Sequence, residues 1–317
     1  MGDGPAADLL ILPRVRFRLG LLFTAVLVSL LAFQAAFAAP GSPDPDAAVR
    51  QQPAPAPQPA ATCPPAGDIK LDGGHLRMPQ GAKPGATRLL VAIMSGNDGD
   101  ADDNLKLAGA ANTEGIAVLY PTSRAGSIWQ LNDARGTTDV QGVTALLDRT
   151  QASGCFDPKR ISIVGLSNGG GFAVRMACKL PGRFAAVVAV AAGYRALDAC
   201  PPATRASFLA IHGTADTIVP FNGKKPDRKG NVPNYVAGWA HRDGCPNPPS
   251  TTYPHAYVQR IVYRGCPNSI RVEVLRLSGT DHGWPGAAPP WPQHNPSGIS
   301  ASLEVLRFVR HATLPGA

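Results

Sequence analysis

The sequence predicts a three-layer α/β sandwich, in which helices cover both faces of a mostly parallel β-sheet. Two observations support this fold class. Short apolar runs recur along the chain, and they are too apolar to leave one face in water, as expected of central strands that are covered on both sides. Stretches with helical spacing alternate with these runs, and strands that alternate with helices are typical of parallel sheets.

The predicted elements follow one another from residue 69 to residue 311. A turn at Asp72-Gly73-Gly74 joins two short stretches within Ile69–Pro79, which predicts an antiparallel hairpin at one edge of the sheet. The other predicted strands are Arg88–Met94, Gly115–Pro121, Arg160–Gly165, Phe184–Ala192, Ser207–Gly213 and Arg271–Leu277. The predicted helices are Asp102–Ala111, Asp139–Ala152, Gly169–Leu180, Tyr235–Arg242 and Ser300–His311.

Residues 1–38 have the features of an export signal. Three arginines between positions 14 and 18 precede the apolar run LGLLFTAVLVSLLAF, and Ala36-Phe37-Ala38 fits a cleavage site. An uncleaved signal anchor is the alternative, because the apolar stretch is nearly long enough to span a bilayer. Residues 39–62 are rich in proline and alanine, which predicts an extended linker before a domain at 63–317. We therefore expect a secreted or periplasmic protein, with the membrane as a partner only if the segment stays uncleaved.

All six cysteines lie within residues 63–317, which fits an exported domain with three disulfides. Six cysteines allow about 15 connectivities, and the sequence alone does not choose among them. The pairing that we expect is Cys178 with Cys200, Cys245 with Cys266 and, by remainder, Cys63 with Cys155. No C-x-x-C pair is present, so zinc binding and thioredoxin-like chemistry lack a motif, and we predict neither metal nor cofactor.

The formal net charge of +8 does not by itself indicate a partner. The basic residues are scattered, and the only dense cluster, Gly223–Gly230, is interrupted by an acid and is typical of a solvated loop. We predict no nucleic-acid binding, and the sequence leaves the oligomeric state open.

The segment ISIVGLSNGGGF, residues 161–172, places Ser167 in the pattern G-x-S-x-G. A buried-strand pattern precedes Ser167, and Phe172, Met176 and Leu180 have helical spacing after it. Strand, glycine turn and helix form the context of a nucleophile elbow, and the helix N-terminus offers free N–H groups to an oxyanion. Ser167 is therefore the predicted nucleophile, and an ordinary serine in a glycine-rich loop is the alternative.

A serine nucleophile needs a general base, and the base needs a carboxylate that fixes its tautomer. In this context the chain order is serine, acid and histidine, each on a loop after a strand. Asp216 follows a predicted strand directly, and His282 follows the last one. His294 lies in a proline-rich segment and His311 in a predicted helix, so both are weaker candidates. We predict a triad of Ser167, Asp216 and His282.

Two further residues compete for roles in this triad. Asp281 is an alternative acid, but adjacent side chains rarely orient each other's ring. His212, at the end of a predicted strand, is an alternative base, although a buried and hydrogen-bonded structural histidine is the favoured interpretation.

The stretches S-N-G-G, H-G-T-x-D and H-x-W-P occur in this order, and the chain from Leu89 to Val309 resembles the poly(3-hydroxybutyrate) depolymerase and feruloyl esterase family. The resemblance implies an α/β-hydrolase fold. It also implies that Ser167 is the nucleophile, Asp216 the acid and His282 the base. The residue after the nucleophile, Asn168, would supply one oxyanion N–H group.

One loop departs from the family pattern. After the strand that ends at Met94, the family usually has His-Gly, and this loop helps to build the oxyanion hole. Here Ser95 stands in place of the histidine and Gly96 is kept, so Asn97 could supply the second N–H group. The acidic run at residues 98–103 would be unfavourable beside an oxyanion. A calcium loop is an alternative for this run, although its spacing is not that of an EF-hand.

The resemblance implies an exported serine esterase that works through an acyl-enzyme without a cofactor. The main interpretation is hydrolysis of short-chain polyester oligomers, such as 3-hydroxybutyrate esters, and the alternative is a feruloyl or acetyl xylan esterase that acts on plant-wall esters. A non-catalytic envelope binding domain on a hydrolase fold is an alternative of another class, which the altered loop favours. Trp129 and Trp284 are candidate substrate-binding residues, and a half-buried packing role for Trp129 is equally open.

Overall fold

The computed structural model describes residues 61–94, 105–194, 200–223, 230–288 and 294–316. Several sequence predictions fall outside the described residues. They are the export segment at 1–38, the linker up to residue 60, the loop from Ser95 to Asp103 with the candidate oxyanion residue Asn97, and the basic cluster at 224–229.

Ten strands form one sheet within the described part of the chain. In chain order they are β1 Gly67–Leu71, β2 Gly74–Met78, β3 Thr87–Ile93, β4 Ile116–Pro121, β5 Phe156–Leu166, β6 Ala186–Val190, β7 Ser207–Gly213, β8 Asn247–His255, β9 Val258–Arg264 and β10 Val272–Leu277. Across the sheet the order is β1-β2-β4-β3-β5-β6-β7-β10-β9-β8. The six neighbouring strands β4, β3, β5, β6, β7 and β10 pair in parallel, so the predicted mostly parallel sheet is confirmed.

Antiparallel strands complete the sheet at both edges. The predicted hairpin forms β1 and β2, and β2 pairs with β4. A second hairpin, β8 and β9, extends the opposite edge through β10, so the prediction of a hairpin at one edge was incomplete. The sequence of β8, NPPSTTYPH, contains three prolines and is largely exposed. Proline is tolerated on an edge strand because its missing N–H leaves no central ladder position unpaired, and such a strand lacks the apolar run that reveals a central one.

Helices pack on both faces of the sheet. Those in the described residues are α1 Leu107–Thr113, α2 Thr138–Gln151, α3 Asn168–Lys179, α4 Val232–Arg242 and α5 Ala301–Val309. Helix α4 begins three residues before its predicted start, because the Asn231 side chain caps it by accepting the Asn234 N–H at 2.9 Å. Among the described residues, no helix is both long and apolar enough to cross a membrane.

Alternate side chains of the central strands enter two separate cores. On β3, Val91 packs into a core that α2, α3 and α4 cover, whereas Ala92 packs into a core that α1 and α5 cover. This alternation accounts for the unbroken apolar runs in the sequence, because neither face of these strands meets water. The predicted three-layer architecture is confirmed.

The three expected disulfides are all present. They are Cys63–Cys155, Cys178–Cys200 and Cys245–Cys266. Cys63–Cys155 ties the start of the described domain to the residue before β5, and Cys178–Cys200 ties α3 to the connection between β6 and β7. Cys245–Cys266 joins the two ends of the β8–β9 hairpin. Cys155 and Cys178 are buried in the core that α2, α3 and α4 cover, and the other four cysteines pack against it.

Asp243, directly after α4, is fully buried. Burial raises the pKa of this carboxyl to about 7, although the positive charge of Arg242 partly offsets the effect. In the unfolded chain Asp243 ionises near its ordinary pKa of about 4, so the folded protein retains a proton that the unfolded chain releases. Stability therefore falls as the pH rises from about 4 to about 7, and it stays at the lower level above that range.

We expect Asp243→Asn to remove this penalty, because the amide does not ionise. The unfolding free energy of the variant minus that of the parent should rise by about 2 to 4 kcal/mol from about pH 5 to about pH 8.5, as measured by urea denaturation. Asp72→Asn, at an exposed position, is the control and should show no such pH-dependent gain. If the unfolding free energies of Asp243→Asn and the parent differed by the same amount at both pH values, the prediction would be contradicted.

Candidate active site

Ser167 occupies a strained turn between β5 and α3. Its backbone has φ 54° and ψ −118°, a conformation that a residue with a side chain rarely adopts. The Ser167 N–H donates to the Val190 carbonyl at 2.9 Å, and the first intrahelical bond runs from Gly171 N–H to the Ser167 carbonyl at 3.1 Å. The predicted sequence of strand, sharp turn and helix is therefore confirmed.

Two glycines permit the turn through close approach of backbone to backbone. A Cβ on Gly165 would lie 2.2 Å from the Gly169 carbonyl oxygen, and a Cβ on Gly169 would lie 2.2 Å from the Ile93 carbonyl oxygen. No side chain fits at either position, and neither obstacle is a flexible group that could move aside. The G-x-S-x-G spacing is thus a requirement of packing between α3 and the ends of β3 and β5.

The structure brings the three predicted triad residues together. His282 Nε2 lies 2.9 Å from Ser167 Oγ, and His282 Nδ1 lies 2.8 Å from Asp216 Oδ2. Asp216 is buried, and the His282 side chain is about one-tenth exposed. The arrangement can move a proton from the serine hydroxyl to the imidazole, while the carboxylate holds Nδ1–H.

Backbone contacts fix the two loops that carry the acid and the histidine. The Thr214 N–H donates to the Leu277 carbonyl at 2.9 Å, and the Ala215 N–H donates to the Thr280 carbonyl at 3.0 Å. Gly213 allows this contact, because a Cβ there would lie 2.0 Å from the Thr280 oxygen. The loop after β7 and the loop after β10 are therefore held as one unit.

The carboxylate of Asp216 is surrounded by hydrogen-bond donors. Its Oδ1 accepts the backbone N–H groups of Ile218 and Val219 at 3.0 and 2.7 Å. Burial alone would raise the pKa of Asp216, but hydrogen bonds from His212, His282 and the Val219 N–H outweigh it, and the pKa lies well below its ordinary value. The group therefore stays ionised across the pH range in which an imidazole base is neutral.

Asn168 lies between the nucleophile and a neighbouring loop. Its backbone N–H precedes the hydrogen-bond ladder of α3, so it is free of an intrahelical acceptor, as an oxyanion donor must be. The sequence did not reveal the role of its side chain. The Asn168 amide accepts the Trp129 N–H at 2.8 Å and donates to the Trp129 carbonyl at 3.2 Å, which ties the loop after β4 to the turn at Ser167.

The two candidate substrate-binding tryptophans are buried. The Trp129 indole N–H donates to the Met94 carbonyl at 2.6 Å, and its ring stacks on Phe172 with centroids 4.6 Å apart. The Trp284 indole N–H donates to Ser302 Oγ at 3.0 Å. These contacts are those of packed core side chains, and a substrate-binding role for either ring stays a prediction.

Asp139 organises the loop that carries Trp129. Its buried carboxylate accepts four hydrogen bonds, from Ser123 Oγ and from the backbone N–H groups of Arg124, Ala125 and Gln130. The sequence predicted Asp139 only as the start of a helix. A single aspartate in a first helical turn gives no signal that it bonds a loop up to 16 residues before it in the chain.

The competing candidates make contacts other than those of the triad. Asp281 Oδ2 accepts the backbone N–H of His294 at 3.0 Å, and His311 is exposed after α5. His212 is fully buried against the Asp216 carboxylate. Within the described ranges, no group of three or more His, Cys, Asp or Glu side chains is arranged to hold a metal ion.

Two curated relatives are similar to the chain in sequence. Feruloyl esterase B of Piromyces equi is 27% identical over 195 residues, which cover 55% of this chain and 35% of the relative. The bifunctional acetylxylan esterase/xylanase XynS20E of Neocallimastix patriciarum is 25% identical over 219 residues, which cover 66% of this chain and 30% of the relative. The chain thus spans about a third of the length of these relatives. No protein-family model matches the sequence.

Solved structures share the fold at low sequence identity. The acetyl xylan esterase from Aspergillus awamori superposes with a TM-score of 0.53 at 17% identity, over 66% of this chain and 88% of that chain. A Pyrobaculum calidifontis esterase superposes with a TM-score of 0.50 at 13% identity, over 77% of this chain and 84% of that chain. The protein has the α/β-hydrolase fold, as predicted. The chain is similar in sequence to esterases, and its likeness to polyester depolymerases stays a prediction.

We expect Gly169→Ala to destabilise the fold by about 3 kcal/mol or more, because the added Cβ meets the carbonyl oxygen of β3. Gly109→Ala in α1 is the matched control. Its Cβ enters open space, and alanine in a helix should stabilise by about 0.5 to 1 kcal/mol. Urea denaturation of both variants checks the pair, and a Gly169→Ala protein as stable as the parent would contradict the close approach.

Proposed function

We propose that the protein is a serine carboxylic ester hydrolase with a Ser167–His282–Asp216 triad. The observation that carries the proposal is the continuous hydrogen-bonded path from Asp216 through His282 to the strained Ser167. A glycine-rich loop without chemistry has no need of a positive φ at a serine, nor of a base and a buried acid on two other loops. The similarity to esterases supports the same activity.

In the first step His282 Nε2 takes the Ser167 proton while Oγ attacks the ester carbonyl carbon. The resulting imidazolium is stabilised by Asp216, whose low pKa keeps it ionised throughout the step. The carbonyl oxygen becomes an oxyanion, and we assign one stabilising donor to the backbone N–H of Asn168 and a second to that of Asn97. The bond to the alcohol then breaks, and the alcohol leaves with the proton from His282.

In the second step water hydrolyses the acyl-serine. His282 takes a proton from the water, the hydroxide attacks the acyl carbonyl carbon, and the same donors hold the second oxyanion. The acid product leaves as the proton returns to Ser167 Oγ. The residues named for the cycle are sufficient without a cofactor.

For the substrate, we propose esters of plant-wall polysaccharides, of the feruloyl or acetyl class. The support is that both curated relatives are esterases of these two classes by name. Polyester oligomers, such as 3-hydroxybutyrate esters, are the second candidate, which rests on the sequence resemblance of the three motif stretches alone.

We also propose that the protein acts outside the cytoplasm. Three disulfides close segments of the domain, and such bonds persist in oxidising compartments. The arginine-led apolar segment with an A-x-A site at residues 36–38 supports export. The partner at the site would be a small-molecule or oligomeric ester.

We expect Ser167→Ala to lower kcat for p-nitrophenyl acetate by about 10⁴-fold or more, because the acyl-enzyme can no longer form. The full chain with its disulfides intact would be assayed, and a fluorophosphonate should label the parent but not the variant. Ser162→Ala is the control, since this buried serine lies on the same strand five residues before the turn and should leave labelling intact. Turnover that survives Ser167→Ala would overturn the assignment of the nucleophile.

The substrate class is tested with the same protein on methyl ferulate, acetylated xylan and soluble 3-hydroxybutyrate oligomers. We expect the highest kcat/KM on one of the wall esters. Highest activity on the hydroxybutyrate oligomers would favour the polyester interpretation instead. Folded protein with neither turnover nor fluorophosphonate labelling would contradict the esterase and favour a non-catalytic binding domain.

A further inference from the structure

The triad carboxylate has a second imidazole beside it, which the mechanism above does not use. His212, near the end of β7, is fully buried, and its Nε2 lies 3.1 Å from Asp216 Oδ2. The same oxygen accepts Nδ1–H of His282 at 2.8 Å. One carboxylate oxygen of the acid therefore lies between two histidine rings.

The surroundings of His212 determine where its proton resides. Its Nε2 also lies 2.8 Å from the Val219 carbonyl oxygen, which can only accept a hydrogen bond, so the proton is on Nε2. Its Nδ1 is buried and, within the residues that the structure describes, has no hydrogen-bond partner. A second proton there would leave an unpaired N–H in the core, which is costly. The Nε2–H of His212 thus bonds the Val219 carbonyl at 2.8 Å and has Asp216 Oδ2, at 3.1 Å, within reach as a second acceptor.

Neighbouring elements hold the His212 ring in this orientation. The Phe221 ring meets it edge-on at a centroid distance of 6.0 Å. On the adjacent strand β10, Arg276 pairs in register with His212, and its guanidinium lies 5.7 Å above the centre of the Phe221 ring. Within the described ranges, the titratable and charged groups around the acid are therefore His212 from β7, His282 from the loop after β10 and, behind Phe221, Arg276.

We propose that His212 is a positioning residue, which acts on His282 through the carboxylate of Asp216. Its Nε2–H holds Oδ2 in place for Nδ1–H of His282 and draws negative charge from that oxygen. The attraction of Asp216 for the His282 imidazolium is thereby weakened. This role rests on the proposed esterase function.

The direction of the effect follows from the hydrogen bonds of Asp216. Without His212, the bond to His282 would be the only one left to Oδ2 among the described residues, and the negative charge of Oδ2 would be concentrated toward that ring. The imidazolium form of His282 would then be more stable, and a higher pH would be needed to release its proton. The acid limb of the pH profile reports this release, because only neutral His282 can accept the Ser167 proton.

The test is the pH dependence of kcat/KM for the parent, His212→Leu and His212→Gln. Glutamine places its amide nitrogen the same number of bonds from Cα as His Nε2, so it keeps an N–H donor, whereas leucine removes the donor. For His212→Leu we expect the midpoint of the acid limb to rise by about half a pH unit or more, with kcat/KM on the plateau lowered about 10-fold. For His212→Gln we expect the parent midpoint and a plateau within about threefold of the parent. A His212→Leu midpoint equal to that of the parent would overturn the proposal.

His75→Leu is the matched control. This half-buried histidine lies in β2 and stacks on Tyr120 of β4. Strands β4 and β3 separate β2 from β5, so the loss of His75 should leave the midpoint unchanged. A shift of the same size in this control would overturn the proposal, because it would show a general response to the loss of a histidine. A parent protein without Ser167-dependent turnover would instead contradict the esterase function.

A measurement on the unaltered protein tests the tautomer that the proposal requires, without need of activity or of a folded variant. Nuclear magnetic resonance of the full chain with 15N-labelled histidine reports which ring nitrogen carries the proton. We expect His212 to be protonated at Nε2 and not at Nδ1 near neutral pH. Protonation at Nδ1 alone would overturn the proposal, since Nε2 would then have no hydrogen to donate to Asp216.

Discussion

The whole site depends on one close contact, between the backbone of Gly169 and the carbonyl oxygen of Ile93. Because no Cβ separates them, the first turn of α3 can lie directly on the ends of β3 and β5. The chain then reverses within a single residue, and Ser167 takes up the strain as a positive φ. The serine hydroxyl and the free N–H of Asn168 are brought to the same end of the sheet, where the loops after β7 and β10 also arrive.

Three buried aspartates show that hydrogen-bond donors, rather than burial alone, decide what a carboxylate can do here. Asp139 accepts four hydrogen bonds and orders the loop that carries Trp129. Asp216 is also well supplied with donors, and its pKa is held low enough for it to remain ionised beside His282. Asp243 lacks comparable donors in the part of the chain that the structure describes, and burial raises its pKa to about 7. The same residue type therefore serves as a loop anchor, as the proposed triad acid and as a source of pH-dependent stability.

The central elements were predictable because their residues meet the core on two faces. Each predicted central strand overlaps a strand of the structure, and the five predicted helices match within a few residues at most ends. The β8–β9 hairpin was not predicted, because one face of an edge hairpin meets water and its strands lack a continuous apolar run. Tyr253 in β8, for example, is 72% exposed. Its polar, proline-containing sequence is equally typical of a loop. The full burial of Trp129 and Trp284 was not predicted either, because an indole ring suits a core and a substrate cleft equally well.

The sequence by itself determined the fold class and the three side chains that meet at the site. Both follow from order along the chain: apolar runs alternate with helices, and the serine, acid and histidine follow strands whose ends share one edge. Only the tertiary structure decided that His212 contacts Asp216 and that the Asn168 side chain bonds the backbone of Trp129. The reason is that a hydrogen bond requires atoms within about 3 Å of one another, and no pattern of residue types specifies a separation that fine.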